Sequence, residues 1–193
     1  GWTTNGRTPR LGDVLYKDIS GAEAEPDGKI DSYDQDMIAK HTRPPISFGL
    51  RTSAAWKEVE AHILFQGMAG HQKVINVPKP LPQVRMHSFW AEYWTPDNPD
   101  SPMPHPNQKT KQNYYTSALY LDSGAFVRLK NIQLSYTLPR NLTEKINAQR
   151  IRIFASATNL LTLSKFKYYD PELANALIYP VTRNISFGTN ISF

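Results

Sequence analysis

The chain has 193 residues, a formal net charge of +5 and a mean hydropathy of −0.50. No run approaches the ~20 apolar residues that a membrane-spanning helix needs, which excludes a helical membrane protein but not a barrel of half-apolar strands. Lys and Arg are scattered, which argues against a nucleic-acid-binding protein, and the absence of cysteine excludes a disulfide framework and a thiolate metal site.

Residues 1–45 are rich in Gly, Asp, Pro and Thr and show little periodicity, so we predict a long loop region there. Within it, Asp18 to Asp34 carry an acidic pattern. With Ala22 to Pro26 set aside as an insertion, the remainder reads DISGDGKIDSYD, with acidic residues at positions 1, 5, 9 and 12 and Gly28 at position 6.

That spacing is typical of an EF-hand-type calcium loop, in which oxygen ligands converge on one ion and glycine permits the sharp turn. We predict a structural Ca²⁺ whose ligands are the side-chain oxygens of Asp18, Ser20, Asp27, Asp31 and Asp34 and the carbonyl oxygen of Lys29. The alternative interpretation is an acidic, Gly-rich surface turn without an ion.

Strand patterns begin after Pro45. In ISFGLRTSAAW, residues 46–56, and in the segment that starts at Val59, apolar and polar side chains alternate, which predicts a hairpin with one apolar face. Residues 67–124 carry VPKPLP and TPDNPDSPMPHP, so we predict a loop with short helical turns around SFWAEYW.

Three more strands are predicted towards the end of the chain. FVRLKNIQLSYT alternates Ile132, Leu134 and Tyr136 against Asn131 and Gln133, and RIRIFASATNLL and RNISFGTNISF alternate in the same way. Between the first two, Asn141 and Glu144 form a capping-box pattern that predicts one turn of helix with Asn141 as its cap.

Short and long connections alternate along these five strands. Outer-membrane barrels show this asymmetry because their periplasmic turns are short and their extracellular loops are long. We therefore predict an all-β fold, an antiparallel transmembrane β-barrel segment, with 1–45 as an extracellular loop region and 46–193 as barrel strands and loops. Five strands cannot close a barrel, so the chain is expected to be the C-terminal piece of a larger protein.

Several segments carry a family resemblance: GDVLYKDISG, DGKIDSYD, FVRLKNIQLSYTLP, ASATNLLTLSKFKYYDPE and YPVTRNISFG. Their order and spacing resemble the C-terminal third of SusC/RagA-type TonB-dependent outer-membrane transporters. The resemblance implies a 22-stranded barrel with an N-terminal plug, energised by TonB. It also implies import of glycan or peptide oligomers delivered by a SusD-like surface lipoprotein.

The remaining candidates are weighed against this prediction. The acid pairs Glu58/Glu60 and Asp170/Glu172 are interpreted as structural, and no nucleophile or zinc motif is present, so we predict no enzyme. The terminal Phe193 resembles the signal that the barrel-assembly machinery recognises. The alternative function, from another class, is a soluble secreted β-sandwich that binds carbohydrate and has a calcium-pinned loop.

Overall fold

The computed structural model describes residues 3–4, 6–76, 88–106 and 112–193. Its strands, in chain order, are β1 (Thr3–Thr4), β2 (Lys29–Ile30), β3 (Ile46–Trp56), β4 (Val59–Ala69), β5 (Gln72–Val74), β6 (Leu121–Ser123), β7 (Phe126–Thr137), β8 (Arg150–Ser164) and β9 (Asn184–Ser192). One short α-helix, α1, covers Arg140–Thr143. Single 3₁₀ turns lie at Ser88–Trp90, Gln112–Tyr114, Ala118–Tyr120 and Glu144–Ile146.

The long strands form one antiparallel sheet in the order β3-β4-β7-β8-β9. This confirms the five predicted strands and places them side by side. The β3–β4 hairpin turns tightly at Lys57, whose φ of 52° lies in the left-handed region that such turns use. β4 runs to Ala69, so its last three residues lie in the segment from residue 67 onward that was predicted as a loop.

The register shows that the alternating apolar residues of all five strands share one face of the sheet. Leu134 lies between Ala61 on β4 and Ala155 on β8, and Ala155 pairs in turn with Phe187 on β9. Directly paired residues point to the same side of an antiparallel sheet. The predicted division into an apolar and a polar face is therefore confirmed.

The ladder is irregular at one level of the sheet. Between β4 and β7 the pairing passes from Leu64–Asn131 to Phe65–Leu129, so Lys130 is an extra residue in β7. At the same level β8 passes from Thr158 to Leu161 and contributes two residues more than β4. Because of this β-bulge, Leu129 and Ile132 both lie on the apolar face although they are three residues apart. The apolar side chains of β7 therefore stay on one face on both sides of the bulge.

Two sequence-based predictions are wrong: residues 67–124, predicted as a loop with short helical turns, contain β5 and β6, and Asn141 is not the helix cap. α1 begins at Arg140, and its cap is Pro139, which has extended backbone angles and forms no side-chain cap bond. Asn141 therefore lies inside the helix, because the fixed φ of proline already sets the chain direction at its entry. The predicted turn of helix itself is confirmed.

Chain contacts divide the molecule into two compact units. One contains the five-stranded sheet and covers 41–73, 122–174 and 178–193; the other covers 1–40, 74–121 and 175–177. In the second unit Asn113 is fully buried, and its side chain accepts the Val14 N–H and donates to Asp13 and to the His105 carbonyl. No helix among the described residues is long and apolar enough to cross a membrane.

Candidate functional site: a two-faced sheet and a clamped loop

The apolar face of the sheet is exposed. Leu134 is 54% exposed although it lies on a central strand, and Phe187 on β9 is 81% exposed. Neither the sheet unit nor its loops cover this face in the part of the chain that the structure describes. An exposed apolar surface that continues across neighbouring strands marks a site of contact with lipid or with another apolar partner.

The opposite face carries polar and charged side chains. Arg152 donates to the Glu60 carboxylate and to the Ser135 hydroxyl, each at 2.8 Å, and His62 lies 3.0 Å from the other Glu60 oxygen. The polar residues that alternate with the apolar ones on these strands all pair with members of this face; they are Asn131, Gln133, Ser156, Asn190 and Ser192. Their predicted side of the sheet is confirmed.

Near the start of β7, the polar face of the sheet contains a buried cation, Arg128. Its side chain has no exposed surface, and it donates two hydrogen bonds to Asp170, at 2.7 and 2.6 Å, and one to Glu172 at 2.7 Å. The Thr162 hydroxyl of β8 accepts a fourth bond at 2.9 Å. This bidentate, charge-assisted arrangement ties the loop that follows β8 to the strands beneath it.

A second cation holds the same loop from another side. Lys73 Nζ donates to the Pro171 carbonyl at 2.7 Å and to the Leu173 carbonyl, and lies about 5 Å from the ring centroids of Phe166 and Tyr169. Burial lowers the pKa of this ammonium group, and the nearby Asp170 carboxylate opposes that effect. We call Arg128 and Lys73, together with the residues 166–173 that they hold, the loop clamp.

The loop clamp settles the interpretation of one acid pair. Asp170 and Glu172 share Arg128, and Lys130 adds a weaker contact to Glu172 at 3.3 Å. Two catalytic carboxylates of a glycoside hydrolase instead lie about 5 to 9.5 Å apart on either side of the scissile bond. The ion pairs with Arg128 support the structural interpretation of Asp170 and Glu172. A cavity of about 290 Å³ beside Arg128 is lined by residues of the clamp and by Asn159 and Arg183.

The acidic loop is folded around Asp34. Its carboxylate accepts the N–H groups of Ile19, Ser20 and Asp31, and the Asp31 and Ile19 bonds hold the pKa of this carboxyl below its ordinary value. The carboxylates of Asp27 and Asp31 accept the N–H groups of Lys29 and Tyr33. Within the described residues, no three acidic or histidine side chains converge as a metal site would need.

Aromatic side chains of the second unit pack on one another. Trp90 is almost fully buried, with the rings of Phe89 and Tyr114 against it at centroid distances of 5.0 and 5.7 Å. Burial raises the pKa of the Tyr16 hydroxyl to about 12. The structural role of these aromatics as packing residues is therefore supported, and a cavity of about 240 Å³ lies beside Phe89 and Tyr120.

Two features of the sheet unit were missed by sequence reasoning. The Arg128 clamp joins residues 42 and 44 positions apart, so its only sequence signal is a lone arginine inside an alternating strand. His71 packs over Gly124, whose N–H donates to the His71 carbonyl.

Phe193 follows β9 and is 79% exposed, and its role as an assembly signal stays a prediction.

No protein-family model matches the chain. It is, however, similar along nearly its whole length to curated receptors from Formosa agariphila. It is 27% identical to TonB-dependent receptor P26 over 212 residues, which is 97% of the chain and 20% of the receptor. It is 26% identical to TonB-dependent receptor P3 over 199 residues, which is 94% of the chain and 19% of the receptor.

The chain is also similar to solved structures of transporters. A structure of the RagAB peptide transporter matches with a TM-score of 0.70 and 27% identity, covering 91% of the chain and 20% of the matched one. The RagAB peptide importer in its open-open state matches with a TM-score of 0.68 and 27% identity over 89% of the chain. The chain thus spans about a fifth of the length of the relatives it matches.

Proposed function

Since the chain is a C-terminal portion of a SusC/RagA-type TonB-dependent transporter, we propose that it forms wall, lumen surface and loops of a nutrient importer. Its place is the bacterial outer membrane. The observation that carries the proposal is the continuous, exposed apolar face of the sheet in a chain that matches RagAB over nine-tenths of its length. The apolar side chains face lipid, and the polar side chains face the lumen.

The sheet is proposed to continue on both sides. β3 and β9 are its edge strands, and an edge in lipid would leave backbone donors and acceptors unsatisfied. The rest of a barrel, of 22 strands in our proposal, pairs with both edges and holds a plug. TonB acts through that remaining part, and the barrel-assembly machinery inserts the whole.

The proposed cargo is a nutrient oligomer, either a peptide or a glycan. RagAB is described as a peptide importer, which supports the first, and the names of the Formosa receptors state no cargo. A SusD-like surface lipoprotein is the proposed partner that delivers the oligomer to the loops. We propose no covalent chemistry, since Arg128 binds both Asp170 and Glu172, and Arg152 and His62 bind Glu60.

Site-directed spin labelling of neighbouring residues tests the proposal. Single cysteines at Leu134 and Gln133 lie at the same depth on opposite faces of β7, and Phe187 and Ser186 form a matched pair on β9. In the full-length protein, freed of other reactive cysteines and reconstituted in a bilayer, each label is probed with oxygen, which partitions into lipid, and with a water-soluble nickel chelate.

We expect labels at 134 and 187 to respond to oxygen and those at 133 and 186 to the nickel chelate or to neither. A soluble β-sandwich would bury positions 134 and 187 in a core that neither reagent reaches. Equal accessibility of both members of a pair would contradict the membrane assignment of that strand.

A further inference from the structure

The cavity of about 290 Å³ beside the loop clamp lies on the polar face of the sheet, where Arg128 on β7 and Thr162 on β8 pair directly and both line it. It is near the start of β7 and the end of β8, which is the end of the sheet with the long connections. All of its lining residues belong to the sheet unit. Ligand pockets span roughly 300–1,000 Å³, so this one has room for a single group of a longer molecule.

Two parts of the cavity lining are held in place by hydrogen bonds. The loop clamp holds Asp170 and Pro171. The Asn159 amide donates to the Thr182 carbonyl at 3.0 Å, which fixes the backbone next to Arg183. A site whose lining is already ordered binds a ligand without the entropic cost of ordering it.

The bulge in β8 brings Asn159 to the cavity. This residue lies between Thr158 and Leu161, where the pairing with β7 is irregular, and its φ of 52° is in the left-handed region. Asparagine tolerates this conformation better than most residues, and β-bulges recur next to active sites, where they redirect a side chain. The irregularity therefore places the side chain that holds residue 182.

The cavity lining has one cation in excess. Arg128 is already neutralised, because Asp170 and Glu172 both accept its hydrogen bonds. Arg183 is exposed, and no carboxylate among the described residues contacts it. The donors of a guanidinium group match the two oxygens of a carboxylate. One excess cation matches a carboxylate in charge as well, whereas a phosphate group carries about −1.5 to −2 at pH 7.

Other residues of the lining match the remainder of such a ligand. The Thr162 hydroxyl accepts a bond from Arg128, and its own hydrogen has no acceptor in the part of the chain that the structure describes, so it can donate to an anion. Phe166, Pro171 and Val181 supply apolar surface. A carboxylate on a short carbon skeleton therefore meets both donors and apolar surface in this cavity.

We propose that this cavity is a subsite for a carboxylate group of the imported oligomer, with Arg183 as its charge partner and Thr162 as a second donor. The inference rests on the proposed function, because that function makes the polar face the wall of the import path. Two classes of oligomer carry such a group, acidic peptides and sugars that are uronic acids. The recognition chemistry is the same for both, and the experiment separates the two sources.

The test is binding of four probes to the full-length transporter in non-ionic detergent, measured by isothermal titration calorimetry. The carboxylate probes are a short oligoglutamate peptide and an oligogalacturonide, and their neutral counterparts are oligoglutamine and the methyl-esterified oligogalacturonide. We expect at least one carboxylate probe to bind more tightly than its neutral counterpart, and Arg183→Gln to weaken that binding about tenfold or more. Arg51→Gln, at an exposed arginine on the polar face of β3, is the matched control and should bind nearly as the wild type does.

Arg183→Lys keeps the charge and loses the guanidinium fork, so it should recover only part of the affinity. Tighter binding of oligoglutamate assigns the subsite to acidic peptides, and tighter binding of the oligogalacturonide assigns it to acidic sugars. Binding of neither carboxylate probe, equal binding of the neutral counterparts, or equal losses in Arg183→Gln and Arg51→Gln would overturn the subsite. The spin labels report the position of the strands in the membrane and not cargo recognition, so the importer assignment and the subsite fail separately.

Discussion

Arg128 and Asp170 form a bidentate ion pair across the polar face of the sheet, with both Asp170 oxygens within 2.7 Å of one guanidinium nitrogen. The arginine is fully buried, whereas Asp170 and Glu172 keep 17% and 19% of their side-chain surface exposed. Desolvation of a charge is offset only when its hydrogen-bonding capacity is used. The pair therefore fixes the loop after β8 in one position relative to β7.

Arg128→Met should release that loop. Removal of the cation leaves two carboxylates that are mostly shielded from water without their partner, and we expect a loss of up to about 3–5 kcal/mol in the free energy of unfolding. The measurement is thermal unfolding of the full-length protein in detergent, together with trypsin cleavage at Lys165 and Lys167. Arg51→Met, at an exposed arginine of β3 on the same face, is the control, and equal effects of the two changes would contradict the clamp.

The His71 contact should make the neighbouring chain sensitive to acid. Burial, and to a smaller extent the Lys73 ammonium, lower the pKa of His71 below its ordinary 6.5. The unfolded or opened state then takes up the proton first, so stability is full above pH 6.5 and falls as the pH drops from 6.5 through the folded-state pKa.

Hydrogen exchange of the Gly124 amide measures this effect, because that N–H is bonded to the His71 carbonyl. We expect its protection to decrease between pH 7 and pH 5 by more than intrinsic exchange chemistry accounts for, with about a tenfold change for each pKa unit of difference. His71→Asn should abolish the excess. If the extra loss of Gly124 protection persists in His71→Asn, it arises from the titration of another group.

Leu134→Arg tests the apolar face in the cell. Leu134 lies three residues from the end of β7, so an arginine there should cost less than the about 2–4 kcal/mol of a midplane position and should still reduce the amount of assembled protein in the outer membrane. Gln133→Arg, one residue away on the polar face, should be tolerated. The readout is heat-modifiable migration of outer-membrane fractions, and similar losses for both variants would speak against a lipid-facing Leu134.

Phe193→Ala addresses the predicted assembly signal. An aromatic side chain next to the end of a barrel strand lies in the interfacial girdle. We expect slower appearance of the heat-modifiable form in a pulse-chase measurement, with normal stability once assembled. Phe187→Ala, on the same face of β9 but inside the strand, is the control, and a normal assembly rate for Phe193→Ala would remove the residue from this role.

Local alternation was sufficient to predict the five long strands and their faces, because a half-buried strand imposes period two on its own sequence. Contacts between distant residues could not be read in this way. Asn113 bonds to Asp13 across 100 positions, and nothing in either neighbourhood indicates the other. For the acidic loop, the spacing predicted a set of calcium ligands, whereas the folded chain shows these carboxylates bonded to local N–H groups and shows that Gly21 and Asp27 meet.

The bulge in the sheet contains two residues whose side chains contact the loop region after β8. Lys130 on β7 and Asn159 on β8 belong to the level at which these strands contain more residues than β4. Both reach the loop region that follows β8, since Lys130 contacts Glu172 and the Asn159 amide donates to the Thr182 carbonyl at 3.0 Å. Lys130 and Asn159 thus add contacts to the loop region that Arg128 and Lys73 hold, and a deletion that regularised the strands would remove those contacts.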